Sequence, residues 1–307
     1  MQPYKYKDET EISALGFVDD VITVSESGFK TARLNSFMNA QFAMKKLRLG
    51  PKKCFSMHVG KTHEQFRNVE LFFDGWTVKS VNMFESGDMN FNDTLNEDMN
   101  EMSHINYEKY LGQVISSDSK NTYNIEQLRN KGIGIQNNII EMLERMPGGQ
   151  FHFKIAVILR NSLLISSILS NSEVWYGLTK EEAKQLEQVD EMWIRNLFDL
   201  SRNVPIDLLY LELGLVPISF IIKGRKQMFL HHILQQKKDS LLHKFFMSQM
   251  KFPTQNDWVS SVLEELNELG IDLELEQIEN MSKEKYKYIL KERVEVKTFE
   301  YLIHKKN

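Results

Sequence analysis

A single cysteine, Cys54, occurs in the 307 residues. This excludes an internal disulfide framework and any four-cysteine zinc site, and it points to a reducing compartment. No apolar run approaches the roughly 20 residues that a membrane-spanning helix needs. Met1 is followed by Gln2, Pro3, Tyr4 and Lys5 rather than by the apolar core of a secretory signal. The expectation is an intracellular protein, in nucleus or cytoplasm, neither secreted nor membrane-bound. The excess of either charge sign is small, with a formal net charge of −4. With 42% hydrophobic and 26% charged residues, the chain has material for two compact units with a sizeable core.

The charge is unevenly placed. Between Gly28 and Arg67 nine Lys or Arg residues (Lys30, Arg33, Lys45, Lys46, Arg48, Lys52, Lys53, Lys61, Arg67) face the single acid Glu64. Between Glu70 and Glu108 nine acids face Lys79 alone. A phosphate polymer would meet the first segment and avoid the second.

Just before the basic segment lies Leu15-Gly16-Phe17-Val18-Asp19-Asp20-Val21-Ile22-Thr23-Val24, two apolar runs pinched together at adjacent carboxylates. Val, Ile, Thr and Phe favour extended chain, so a two-residue Asp-Asp break predicts a β-hairpin with both acids at its tip. Asp is also an ordinary turn former. Two carboxylates on a rigid bend nevertheless supply the hard oxygen ligands that Mg²⁺ or Mn²⁺ prefers, and such an ion clamps phosphates during nucleotidyl transfer.

Further along, apolar spacing predicts a helix from Phe29 to Leu47 stopped by Gly50-Pro51, and a strand over Cys54–Val59, giving a β-β-α-β unit. Residues from about Ser80 to Asn106 read as an acidic loop, and Tyr110–Ile115 as a strand. Helices are expected over Ile125–Met146, Phe151–Leu169, Lys180–Phe198, Pro205–Leu213 and Ile218–Gln235, with shorter ones after Asp239. A last unit should begin near Asn256, where eight acids and no bases fall between Asp257 and Glu279. A Lys-rich helix from Ser282 to about Ile303 offers opposite charge against which that acidic stretch would dock. The fold class is α+β, with three units: 1–118, 119–250 and 251–307.

The order of these motifs resembles the back half of a reverse transcriptase, particularly the polymerase of non-LTR retrotransposons, over roughly residues 10–250. Phe17-Val18-Asp19-Asp20 is similar to that family's aromatic-x-Asp-Asp hairpin. The helix through Met44-Lys45-Lys46-Leu47 leading to Lys53-Cys54 resembles its next, lysine-bearing motif, and Tyr110-Leu111-Gly112 resembles the primer-grip hairpin. Asn124-Ile125-Glu126-Gln127-Leu128-Arg129-Asn130-Lys131-Gly132, Glu173-Val174-Trp175-Tyr176-Gly177 and Leu211-Glu212-Leu213-Gly214 look like the thumb and its continuation.

The resemblance implies a small partial palm followed by a mostly helical thumb and extension. It implies that Asp19 and Asp20 hold the metal and that Lys53, or its neighbour Lys52, protonates pyrophosphate. Lys45, Lys46, Arg48, Tyr110, Gly112, Arg129 and Lys131 would touch the RNA template and DNA primer, and dNTP would be the second substrate. The family's first aspartate and its fingers are expected to be missing, because Asp8, Glu9 and Glu11 read as a polar leader, and Asp74 reads as a turn residue. The chain alone is then expected to be inactive.

Two other classes compete: a non-catalytic RNA or DNA binder derived from such an element, and a helical interaction scaffold. Gly132 and Gly134 could let a duplex backbone approach. Cys54 with His58, and the adjoining His231 and His232, supply too few convergent ligands for zinc. Trp175, Tyr176, Trp193 and Phe198 read as core rather than as base-stacking groups.

Overall fold

A computed structural model describes residues 4–6, 10–12, 14–17, 20–26, 28–47, 55–56, 71–73, 76–78, 103–104, 107–110, 112–116, 120–145, 153–254 and 257–304. The fold is α+β, with short two-stranded sheets and many helices. The chain divides into two units, one of residues 1–109 with 115–119, the other of 110–114 with 120–307. The second runs unbroken past residues 250–251, where the sequence suggested a boundary. Among the described residues no helix is long and apolar enough to cross a membrane.

In the first unit β1 (Tyr4–Tyr6) pairs antiparallel with β2 (Thr10–Ile12). Glu11, read from sequence as part of a polar leader, therefore sits on a strand, opposite Lys5. Next, β3 (Ala14–Phe17) pairs antiparallel with β4 (Asp20–Thr23). Helix α1 (Gly28–Met44) follows and contacts β4, to which the Thr23 hydroxyl ties it by donating to Asn35 Oδ1 at 3.0 Å. Strand β5 (Phe55–Ser56) follows in the expected order but pairs in parallel with β8 (Ser103–His104), not with the hairpin, so no β-β-α-β sheet forms among the described residues. Residues 103–104 were expected in the acidic loop. Strands β6 (Leu71–Phe73) and β7 (Trp76–Val78) pair antiparallel, and Asp74, read from sequence as a turn residue, lies outside the described residues.

The second unit is helical: α2 (Thr122–Glu144), α3 (Phe153–Leu159), α4 (Ser166–Ile168), α5 (Lys180–Leu197), α6 (Ile206–Leu213), α7 (Ile218–Leu234), α8 (Leu241–Lys251), α9 (Trp258–Glu268), α10 (Leu275–Glu279) and α11 (Lys283–His304). A π-helical turn, Arg160–Ile165, joins α3 to α4. Helix α5 begins with a capping box: Thr179 Oγ1 accepts the Glu182 amide at 3.2 Å, and Glu182 Oε2 accepts the Thr179 amide at 2.9 Å. The other Glu182 oxygen accepts the Thr122 hydroxyl at 2.9 Å, tying the start of α5 to the start of α2.

Two apolar clusters fill this unit. One gathers Ile125, Ile139, Leu164, Ile168, Leu186, Trp193 and Ile218; the other gathers Leu230, Ile233, Phe246, Val262, Leu269, Ile278 and Tyr286. Helix α7 contributes to both. The fully buried Trp193 and the buried Trp175 are core residues, as expected, whereas Tyr176 is exposed.

The acidic stretch docks differently from the sequence expectation. Glu265 and Glu268 of α9 pair with Lys226 and Lys223 of α7, not with α11. Helix α11 is instead anchored by the buried side chains of Tyr286, Leu290, Thr298 and Leu302. Lys226 is almost wholly buried, donating to Glu265 at 2.7 Å and to Ser261 at 3.2 Å, so its charge is paired rather than stranded.

Asp257 caps α9. It accepts the Ser260 amide at 2.8 Å and the Thr254 amide at 2.7 Å. Burial alone would raise its pKa; the donors from Thr254 and Ser260 outweigh that and hold the carboxyl below its ordinary value. A depressed carboxyl pKa stabilises the fold fully above the unfolded value, and the benefit is lost as pH falls through the folded value. Asp257→Ala should therefore cost about 1 kcal/mol near neutral pH. The gap from wild type should narrow in urea titrations run below about pH 4. A gap constant across that range would show that the cap acts without its charge.

Candidate nucleic-acid interface

The carboxylate hairpin is built as the residue types require. Phe17 pairs with Asp20, Gly16 with Val21, Leu15 with Ile22 and Ala14 with Thr23. Asp20 thus opens β4 rather than standing at the hairpin tip, where the sequence reading placed it. Asp19 itself lies outside the described residues, as do Arg48 and Lys53.

The helix that follows ends earlier than periodicity implied. Lys46 adopts a left-handed backbone conformation with φ 59°. Its amide donates to the Ala43 carbonyl, and the Leu47 amide donates to that of Phe42, both at 2.9 Å. These are the paired bonds of a Schellman termination, here made without glycine. Lys45 and Lys46 are exposed in that turn rather than on the helix.

Tyr110–Ile115, read from sequence as one strand, is broken by a turn: β9 (Tyr107–Tyr110) reverses at Gly112 and returns as β10 (Gln113–Ser116). Gly112 has φ +83°, a conformation that side-chain-bearing residues seldom adopt. The returning Gln113 is an anchor. Its Nε2 donates to the Ser170 carbonyl at 3.0 Å. Its Oε1 accepts from Asn124 at 3.0 Å and from the Trp175 indole at 2.9 Å. Asn124 in turn accepts the Val114 amide at 3.3 Å. The tip carrying Tyr110 and Gly112 is thereby fixed to the start of α2 and to the segment before α5. Periodicity gave no hint of Gln113; a polar residue after a Gly turn, in a chain with a buried tryptophan to satisfy, was the only signal.

Arg129 and Lys131 both lie on α2. Residues two apart on a helix leave it about 200° apart, so they do not share a face. Arg129 is half-buried and Lys131 exposed. Gly132 is buried and turned inward: a Cβ there would stand 2.8 Å from both Ile168 Cγ2 and Val189 Cγ1. Its missing side chain serves helix packing, which corrects the expectation that it opens α2 to a duplex. Gly134 is exposed and has nothing within 4 Å of the corresponding point.

The expected site residues are therefore shared between the two units, with Asp19, Asp20, Lys45, Lys46, Arg48 and Lys53 in the first and Tyr110, Gly112, Arg129 and Lys131 in the second. Among the described residues no three His, Cys, Asp or Glu side chains converge as metal ligands. His231 is buried, with Nε2 2.9 Å from the Met281 carbonyl and its ring stacked on Tyr286, while His232 is exposed. Asp20 stands at the first position of β4, next in sequence to Asp19, and the side chains of both acids lie outside the described residues. No protein-family model, curated protein or solved structure matches the chain.

Proposed function

We propose that the chain is part of an RNA-directed DNA polymerase of the non-LTR retrotransposon kind, contributing the carboxylate hairpin of a palm and a helical thumb. The observation that carries the reading is the antiparallel β3–β4 pairing, in which Asp20 opens β4 directly after Asp19 in the sequence, with α1 contacting β4 and followed by a turn that exposes Lys45 and Lys46.

In this reading Asp19 and Asp20 would hold Mg²⁺ or Mn²⁺, which when bound would supply activation of the primer 3′ hydroxyl and charge neutralisation at the leaving pyrophosphate. The paired acids would otherwise repel each other, and a bound cation relieves that. Lys53 donates a proton to pyrophosphate. Lys45, Lys46 and Arg48 contact template–primer phosphates, Tyr110 and Gly112 support the primer end, and the exposed Lys131, rather than the half-buried Arg129, is the α2 cation open to the duplex.

The test is nucleotide addition to a DNA primer on an RNA template with Mg²⁺, using this chain together with a separately supplied fingers and first-aspartate segment from a non-LTR polymerase. Asp19→Asn is expected to abolish extension, a loss of at least a thousandfold, while primer–template binding stays within about threefold of wild type. Extension retained by Asp19→Asn would overturn the assignment. Binding that is steeply salt-dependent, with no extension in any combination, would favour a non-catalytic nucleic-acid binder.

A further inference from the structure

The second unit carries a groove that neither the hairpin chemistry nor the thumb reading uses. It has a volume of about 660 Å³ and runs between α7 and α11. Its walls hold four permanent cations, Arg225, Lys283, Lys287 and Lys291, against the single acid Glu173. The lysines recur every fourth residue, so they form one stripe with about 6 Å of rise between neighbours. All three are exposed. Among the described residues Lys291 makes one long, solvent-exposed ion contact, to Glu295 3.8 Å away, and such pairs contribute little. Glu265 and Glu268 of α9 are engaged with Lys226 and Lys223, so those two acids do not neutralise this stripe.

The floor is fixed and partly aromatic. Arg225 donates to the Leu169 carbonyl. Burial lowers its pKa and Glu173 partly restores it, which leaves the guanidinium charged. Phe229 lines the groove, stacked on His232 with ring centres 6.1 Å apart. Trp258 meets Phe229 edge-on at 5.6 Å and donates from its indole to the Glu173 carbonyl at 2.8 Å.

We infer that this α7–α11 groove binds single-stranded nucleic acid, the lysine stripe following successive phosphates and Phe229 with His232 giving the bases an aromatic wall. A repeating cationic line beside a π-surface is what a flexible phosphate polymer with exposed bases needs; a globular acidic protein would use the lysines but not the rings. The inference goes beyond the polymerase reading and does not depend on it, since no residue of the carboxylate hairpin takes part.

The experiment is fluorescence anisotropy of a labelled 12-nucleotide oligouridylate with the full chain, titrated at several salt concentrations. Lys283→Gln/Lys287→Gln/Lys291→Gln should lose at least tenfold in affinity at about 0.1 M salt, and the slope of log affinity against log salt should flatten by about 2. A control of equal net charge, Lys238→Gln/Lys251→Gln/Lys285→Gln, changes exposed lysines outside the groove and should stay within about threefold of wild type. Irradiating a 5-bromouracil version should attach it within α7 or α11. Asp19→Asn/Asp20→Asn should bind the oligonucleotide unchanged, so failure of the polymerase assignment would leave this result standing. Equal losses in both lysine triples, no loss in either, or no binding by the wild-type chain would overturn the inference, as would binding to anionic vesicles or a phosphopeptide in place of the oligonucleotide.

Discussion

Replacing Asp190 with alanine is expected to destabilise the helical unit by about 3–5 kcal/mol, the cost of leaving a buried charge without its partner. Asp190 on α5 is fully buried and the Arg160 side chain is only 2% exposed. The π-helical turn brings Arg160 to the middle of the first cluster, where its Nε donates to Asp190 Oδ1 at 2.7 Å and a terminal nitrogen donates to Oδ2. Tyr210 donates to the same Oδ2 at 2.7 Å, and Arg160 reaches the Val216 carbonyl at 3.3 Å and Asn161 at 2.9 Å. The guanidinium also lies 5.9 Å from the centre of the Trp193 ring.

Burial by itself would lower the Arg160 pKa, and the facing carboxylate more than offsets this, holding it above its ordinary value. Burial first, and then Asp190, push the Tyr210 phenol well above its own. Both donors therefore stay protonated throughout the usable pH range. Removing the carboxylate strands them together. Urea unfolding followed by tryptophan fluorescence reads the loss, because Trp175, Trp193 and Trp258 all lie in the second unit. The double change Arg160→Met/Asp190→Leu should recover most of it, since an apolar pair of similar volume needs no desolvated charge. A single-variant loss below about 1 kcal/mol would mean that water reaches the guanidinium.

The second large effect separates two glycines on one helix. Gly132→Ala and Gly134→Ala carry the same gain in helix propensity, about 1 kcal/mol. At Gly134 nothing opposes it, and the variant should be more stable by about that amount. At Gly132 the new methyl would meet Ile168 and Val189 at 2.8 Å, so α2 must shift from α4 and α5 at an overpacking cost of about 1–3 kcal/mol. The difference between the two variants isolates that cost. Equal stability in denaturant titrations would show that the helices part without resistance, and that Gly132 is available to a ligand after all.

The helices from α2 to α7 were legible because their apolar residues recur at the helical period. Their ends differ from the periodicity by only a few residues. The π-helical turn was not legible, since nothing in Arg160–Ile165 marks an extra residue per turn. Nor was the Arg160–Asp190 pair, because a bond across thirty positions has no local signature.

Charge misled at α11. Acids and lysines in neighbouring segments invite pairing, but a helix is docked by its apolar side chains, and Tyr286, Leu290 and Leu302 turned the lysines outward. In the candidate site the hairpin was legible from its two runs of strand-favouring residues, but the start of its second strand only to one position, since nothing in Asp19-Asp20 marks which acid begins it. The spacing of Lys283, Lys287 and Lys291 was visible in the sequence. Its meaning was not, until α7 supplied the opposite wall.

Helix α7 is a party wall. Ile218 and Ile222 near its start belong to one cluster, and Leu230, Ile233 and Leu234 near its end belong to the other. Helix α11 repeats the arrangement in reverse, with Tyr286 and Leu290 in the later cluster and Leu302 in the earlier. Neither room can be emptied without bringing down masonry of the other, so the helical half of the molecule has to melt as a single block, and a strand seated between those two helices would brace both chambers at once.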